Sequence, residues 1–589
     1  MTAFANPLAS LVWSSRYRHT PQGAAPEPSI EATWDRVARA LAEAEPRDRD
    51  LWARRFRAAL EDFRFLPGGR ILAGAGTGRR VTLFNCFVMG TLDDSLGGIF
   101  GALHESALTM QQGGGIGLDF SPLRPRGTGA SASGGVASGP VSFMHLWNQM
   151  SDTVTGTTPR RGAMMATLSC DHPDVEAFIA AKERRGNLLH FNLSVLVSDA
   201  FMRAVERDAE WTLRFPRLGI ERVTRARGVW KSIVQHAYDT AEPGVLFIDR
   251  IRRDDNLAYA ETISATNPCG EVPLPPYGAC DLGSLNLTRF VQAAFTGDAR
   301  LDFSMLADVT AVAVRLLDDV YDVSGFPLPQ QERAARASRR LGLGITGLGD
   351  ALTMLNLRYD SPEGRAAASA VMRTIGEAAY AASIELARER GSFPLFDPKR
   401  FLEAPFVSRL PSSLRNGIAQ HGIRNSHLTA IAPAGTISVL AGNVSSGIEP
   451  VFAPEYDRTV RNLDGSLSMM RVASYALVQW RALGRTAAFP DAFGTAATIR
   501  AHEQLAMQAA LQPHVDNAIS KTTNVPADIP FSELAAIYRS AWETGLKGCT
   551  VFRPNAVTGA ILAQPEPRCQ RCETAPEPSA RLPLDRAPG

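Results

Sequence analysis

The 589-residue chain lacks any apolar run of ~18 residues able to span a bilayer. Met1 to Leu11 lacks the basic segment and apolar stretch of a secretory leader. We therefore expect a cytoplasmic protein with no membrane partner. Charge of one sign is also missing. Sixty-two Lys and Arg against sixty Asp and Glu leave a formal net charge of +2, which excludes the broad basic face of a nucleic-acid binder but leaves room for local anion sites. Cysteine is scarce: seven residues (Cys86, Cys170, Cys269, Cys280, Cys549, Cys569 and Cys572) are too few and too scattered for a disulfide scaffold. In a reducing compartment they serve chemistry or simple burial, and one taken alone reads as core. No internal repeat with a period of ~20–50 residues occurs, which excludes a solenoid or propeller.

What is present is ordinary globular material, 45% hydrophobic and 21% charged, enough for a large core. Helical spacing over Glu31 to Glu45 and Leu51 to Phe65 predicts an N-terminal helical region, residues 1–62, ahead of a turn at Pro67-Gly68-Gly69. Short apolar runs at Val81 to Met89, Leu188 to Val197, Gly244 to Ile248, Leu428 to Ile431 and Thr550 to Phe552 then alternate with helical stretches. The clearest helices are Ile99 to Gln112, Met305 to Val323 and Arg365 to Arg390, the last closing at Gly391. Such alternation predicts an α/β fold, with one catalytic body over residues 63–563. Residues 564–589 carry six prolines and almost no apolar periodicity, the composition of a mobile tail.

Thr266 to Leu287 reads TNPCGEVPLPPYGACDLGSLNL. Its Pro and Gly force turns around Cys269 and Glu271, so it is a loop rather than a helix. A cysteine and a carboxylate two residues apart on an extended loop can face one substrate, offering a sulfur centre and an acid or base. Asn-Pro-Cys-Gly-Glu followed eleven residues after its cysteine by Cys-Asp-Leu-Gly-Ser-Leu-Asn-Leu resembles the finger loop of the ribonucleotide reductase family. The resemblance implies that Cys269 becomes a thiyl radical that abstracts the ribose 3′ hydrogen. It further implies that Glu271 handles the 3′-hydroxyl proton and that Asn267 hydrogen-bonds the substrate.

Replacing the 2′ hydroxyl by hydrogen takes two electrons, which a thiol pair closing to a disulfide delivers. The family likeness assigns these thiols to Cys280 and to Cys86, within Phe84-Asn85-Cys86-Phe87-Val88. Cys569-Gln570-Arg571-Cys572 on the tail then exchanges disulfides with that pair and with a thioredoxin or glutaredoxin-like partner. The competing reading is half a zinc site, which wants four ligands and finds no His or second Cys pair nearby. Ile431 to Ser438, IAPAGTIS, resembles the family's phosphate loop, with Ser445 to Pro450 just after. The substrate set implied is Arg70, Asn85, Cys86, Gly114, Gly115, Asn267, Pro268, Cys269, Gly270, Glu271, Pro433, Ala434, Gly435, Thr436 and Ile437. Asp94, Ser95 and Leu96, with Arg124 and Arg126, resemble the site of a dNTP or ATP effector, and Thr157 to Met165 the loop that relays effector identity. For the two arginines a solvated basic loop is the alternative.

Gly342-Leu343-Gly344-Ile345-Thr346-Gly347 has dinucleotide-binding spacing, which would point to an NAD-dependent oxidoreductase. The charged helical stretch Gln331 to Arg340 stands where a strand is required, so we read the segment as part of a reductase helix pair. Cys170, Cys549, Asp171 and His172 read as structural, the last two in a turn at a helix start. No metal ligand is assigned.

Family classes differ in their radical source. None of the ten tyrosines adjoins another, against the paired tyrosines of the two-subunit class, and Val551-Phe552 stands where that pair is expected. The tail lacks the glycyl-radical segment and the four-cysteine zinc site of the anaerobic class. Adenosylcobalamin, a cobalt corrinoid, remains as cofactor. No residue is assigned to it, and the Asp-x-His-x-x-Gly cobalt motif is absent, as it is from reductases of this class. No N-terminal nucleotide-binding cone is seen, so no ATP–dATP on/off switch is expected. The resemblance, over roughly residues 60 to 572, implies the family's ten-stranded α/β barrel, also the glycyl radical enzyme type, and a homodimer. The rivals are the large subunit of a two-subunit reductase and a non-catalytic nucleotide-sensing relative.

Overall fold

Strands buried on both faces hold the central loop in this computed structural model, which describes residues 4–555 except 130–134, 156–162, 185, 462–465, 486–488 and 491. Cys569, Cys572 and the rest of 564–589 lie outside the described residues, as do Thr157 to Gly162 of the relay loop. The first strands are β1 (Phe65–Pro67), β2 (Cys86–Val88), β3 (Gly115–Asp119), β4 (Met164–Ser169), β5 (Phe191–Val197) and β6 (Gly244–Phe247). β2 to β6 run parallel in that order. A two-stranded hairpin follows, β7 (Ala265–Thr266) against β8 (Pro273–Leu274), and it carries residues 267–272 at its tip. Then come β9 (Ala279–Asn286), β10 (Leu341–Thr346), β11 (Thr522–Asn524) and β12 (Gly548–Phe552).

β9 pairs parallel with β10, and β11 with β12. Parallel bridges Leu343 to Thr429 and Ile431 to Ile519 join the two pairs, so the second half is also a run of parallel strands. The halves meet antiparallel at β2–β9 and at β6–β12, which closes the sheet on itself as the expected α/β barrel. β1 adds antiparallel to β9. A covered parallel sheet reads in sequence as continuous apolar runs rather than alternation, as in β4 and β5; the exposed residue inside β5 is Asn192.

Two segments differ from the sequence reading. Gly342 to Thr346 is the buried strand β10, not a helix. Its glycines are steric: a Cβ on Gly342 would stand 2.4 Å from Leu282 Cδ2, and one on Gly344 would stand 2.2 Å from the Ala430 carbonyl oxygen. A buried strand of six residues lacks the alternation that marks a half-exposed one, so the sequence alone groups it with the helices that flank it. Pro67-Gly68-Gly69, read as a turn, instead ends β1 and starts the helix Gly69–Gly74.

Helices α1 (Pro7–Arg16), α2 (Ile30–Ala42) and α3 (Arg49–Leu60) precede the barrel. α2 buries Ile30, Trp34, Val37 and Leu41, one face at helical spacing. α4 (Leu96–Gln111) follows β2, and α5 (Phe303–Val323) and α6 (Pro362–Arg390) cover the second half. α6 ends at Gly391, at φ +80°. Among the described residues no helix is long and apolar enough to cross a membrane.

Candidate active site

The hairpin tip is built by its asparagine. Asn267 Oδ1 accepts from the Val272 N–H at 3.0 Å and the Thr266 hydroxyl at 3.2 Å, tying the two ends of the loop together. Its Nδ2 donates to Cys86 Sγ at 3.1 Å. Gly270 completes the turn at φ +87°, a conformation that costs a side-chain-bearing residue strain. The Ala518 N–H holds the Glu271 carbonyl at 2.9 Å. The sides of the loop can approach the sheet because the sheet is bare there: a Cβ on Gly117 of β3 would stand 1.9 Å from the Thr266 carbonyl oxygen, and one on Gly115 would be 3.1 Å from Pro268 Cγ.

Two chemically different positions result. Cys269 is exposed at the tip, whereas Asn267 and Glu271 are buried. Burial pushes the Glu271 carboxyl up to about 7, against the opposing pull of its own backbone N–H and then of Asn267. Its Oε2 is buried and has no hydrogen-bond partner. A half-protonated carboxyl with a free oxygen is equipped to take or give one proton near neutral pH.

Behind the loop, Cys86 on β2 and Cys280 on β9 lie directly opposite each other in antiparallel register. Opposed residues have Cβ atoms about 4.5–5.5 Å apart, within reach of a disulfide after small adjustment. Both are reduced and buried. Burial first, then neighbouring acids, raises both thiols well above the ordinary range. Asn85 and Gly115 are linked by a 2.9 Å backbone hydrogen bond. Gly114 has no room for a Cβ beside Phe87, and the Arg70 guanidinium lies over Gly113. Gly115 stands opposite Cys86 in the β2–β3 register, with Gly114 and Gly113 just before it and Arg70 against the latter.

Pro433 to Ile437 leads into the helix Gly435–Leu440, with Pro433, Gly435 and Thr436 exposed. The loop is held from behind by the segment that follows it. Ser446 Oγ accepts the Ala434 N–H at 2.8 Å, and Glu449 pairs with the buried Lys521 and accepts the Thr522 N–H at 2.9 Å. Asp94, Ser95 and Leu96 sit at the start of α4. Ser95 caps it by accepting the Gly98 N–H at 3.0 Å, and Leu96 is exposed. Asp94 accepts both the Arg124 N–H (3.0 Å) and its Nε (2.8 Å). Arg126 turns its backbone N–H to Asp174 at 2.8 Å. His172 is engaged structurally, its Nε2 against the Leu123 carbonyl at 2.9 Å and its Nδ1 accepting the Asp174 N–H.

In front of the tip a cavity of about 710 Å³ opens. Pro268, Cys269, Gly270 and Pro433 line it, with parts of β5, β6 and β12, including Val551 and Phe552. Asn267, Glu271, Cys86 and Cys280 do not. Cys269 therefore stands at the cavity on a loop whose buried side carries the acid and packs against the strands that bear the cysteine pair.

A loop of this composition inside a closed ten-stranded barrel has known counterparts. The family model described as "Ribonucleotide reductase, barrel domain" matches residues 84–552, and that described as "Ribonucleotide reductase, all-alpha domain" matches residues 3–80. The chain belongs to the ribonucleotide reductase family. It is 40% identical over 582 residues to the vitamin B12-dependent ribonucleoside-diphosphate reductase of Mycobacterium tuberculosis, covering 94% of this chain and 79% of that protein. Identity to the protein of the same description from Thermoplasma acidophilum is 35% over 527 residues, 86% of this chain and 66% of the relative. The ribonucleoside-diphosphate reductase large subunit of vaccinia virus is 28% identical over 542 residues, covering 85% of this chain and 66% of the viral one.

The reductase barrel also brings forward residues that the sequence reading passed over. Asn192, Ser194 and Thr550 line the cavity before Cys269. A Cβ on Gly244 would stand 3.0 Å from Thr550 Oγ1 and 3.3 Å from Ser194 Oγ, so both hydroxyls flank bare backbone. The available signal was polarity out of place: Asn192 and Ser194 interrupt the otherwise apolar FNLSVLV.

Proposed function

We propose that this chain reduces ribonucleoside diphosphates to 2′-deoxyribonucleotides by thiyl-radical chemistry at Cys269. One arrangement carries the reading: an exposed cysteine on a loop whose buried side carries Glu271, with its free oxygen, and Asn267 bonded to one of two opposed thiols. Cys269 takes the 3′ hydrogen atom and returns it at the end. Glu271 accepts the 3′-hydroxyl proton, and Asn267 orients the substrate against Cys86. The 2′ hydroxyl leaves as water, a hydrogen replaces it, and the two thiols Cys86 and Cys280 become one disulfide, which balances the two electrons. Arg70, Asn85, Gly114, Gly115 and the Pro433 to Ile437 loop surround the substrate.

Relatives whose names include vitamin B12 support adenosylcobalamin as the cofactor. The cavity before Cys269 is compatible with it. Among the described residues no tyrosine lines that cavity, Ser194 and Thr550 would hold the cofactor's polar side chains, and Gly244 and Gly270 leave backbone bare. When bound, the cofactor supplies the one-electron chemistry that converts the Cys269 thiol to a radical. Asp94, Ser95, Leu96, Arg124 and Arg126 serve a nucleotide effector, and Cys569 and Cys572 carry electrons from a thioredoxin-like protein.

The test is Cys269→Ser. It should abolish deoxynucleotide formation while leaving nucleotide binding intact, measured by product analysis and equilibrium dialysis. Normal turnover in this variant would sink the mechanism.

A further inference from the structure

We infer that Asn192 is the positioning residue for Cys269, holding the loop tip from the cavity side. This deepens the reading of Cys269 as the radical residue and rests on it. Asn192 Nδ2 donates to the Pro268 carbonyl at 2.7 Å. That carbonyl belongs to the peptide that joins Pro268 to Cys269, so the bond fixes the plane from which the thiol departs. Asn192 and Cys269 line the same cavity, and Asn192 is the exposed residue of a strand otherwise buried throughout.

The tip needs such a tether. Gly270 sits at φ +87°, and no atom lies within 4 Å of where its Cβ would be, so packing does not lock that side of the turn. Elsewhere the loop is held by the turn bond from the Gly270 N–H to the Asn267 carbonyl at 3.1 Å, by Asn267 on Val272, and by the Ala518 N–H on the Glu271 carbonyl; Asn192 meets the Pro268–Cys269 peptide itself. Pro268 is met from behind at Gly115 and from the front at Asn192. Cys269 exchanges a hydrogen atom on the cavity side and another with substrate, and a misplacement of about 1 Å costs about 100-fold in rate. A rigid strand supplies the donor because a loop could not hold that tolerance.

The experiment uses the full chain with adenosylcobalamin and compares Asn192→Ala and Asn192→Asp with the parent. Asn192→Asp keeps the size but sets a charged acceptor against the Pro268 carbonyl where the donor stood, so it carries the test should Asn192→Ala fail to fold. Both should lose at least about tenfold in kcat with little change in KM for the nucleotide. Iodoacetamide labelling of the Cys269 peptide, followed by mass spectrometry with Cys269→Ser as the blank, should quicken about fivefold, the shift that one hydrogen bond governs. Melting temperature should be unchanged in Asn192→Asp. Parental kcat, or a fall in kcat with parental labelling of Cys269, would overturn the positioning role. Failure of the radical reading itself would instead show as turnover by Cys269→Ser.

Discussion

At the scale of single residues the site separates two jobs by burial. Cys269 is exposed and Glu271 sealed, though only Gly270 stands between them, because the turn at Gly270 reverses the chain. The sealed carboxyl sets a pH dependence. Burial raises Glu271 to about 7, so below that pH it holds its proton and cannot accept another, and above it the carboxylate is the major form. With Glu271 as the acceptor of the 3′-hydroxyl proton, kcat/KM should rise with pH through about 7. Glu271→Gln should give a flat profile at a rate lower by about 10²–10⁴. A pH–rate series on both proteins checks this, and an unchanged limb in Glu271→Gln would assign the titration elsewhere.

At the scale of elements, the N-terminal helices are fastened to the barrel by buried charge as well as by the apolar face of α2. Glu45, after α2, is fully buried and receives Arg315 of α5 at 2.6 Å and Arg390 at the end of α6 at 2.6 Å. Removing Glu45 leaves Arg315 with Glu389 and Arg390 with Asp318 and Asp319, so the loss is partly compensated and Glu45→Ala should destabilise the fold by about 1–3 kcal/mol. Urea unfolding measures it, and a loss below about 1 kcal/mol would class the contact with surface pairs. None of this was legible in sequence, since Glu45 and Arg315 read only as polar positions of amphipathic helices. What was legible were elements whose period is local: α5, α6 with its close at Gly391, and the apolar runs of β5 and β6. The β10 strand was misread because its glycines are dictated by Leu282 and Ala430, distant in the chain.

At the scale of the whole molecule, the proposed function needs one chain for the chemistry and an outside reductant for sustained turnover. The chain alone, with adenosylcobalamin and a small dithiol, should form deoxynucleotide. A requirement for a second, radical-generating subunit would instead favour the two-subunit class. Cys569→Ser or Cys572→Ser should retain a single turnover with dithiol and lose thioredoxin-driven turnover. Equal loss with both reductants would deny the tail its shuttle role. These predictions are separable because the proposed shuttle has the tail pair reduce the barrel pair, Cys86 and Cys280, only after a turnover has oxidised it.

The sequence by itself determined the chemistry of the hairpin tip. Asn267, Cys269, Gly270 and Glu271 lie within five consecutive residues, and turn formation among Pro and Gly is decided by neighbours along the chain. It also carried the family likeness that pointed to Cys86 and Cys280. Only the tertiary structure decided that those two face each other, that Gly117 admits the loop, and that Asn192 and a cavity stand before Cys269. Each is a relation between strands remote in sequence, set by sheet register and close packing, and residue type along one strand does not encode its partner on another.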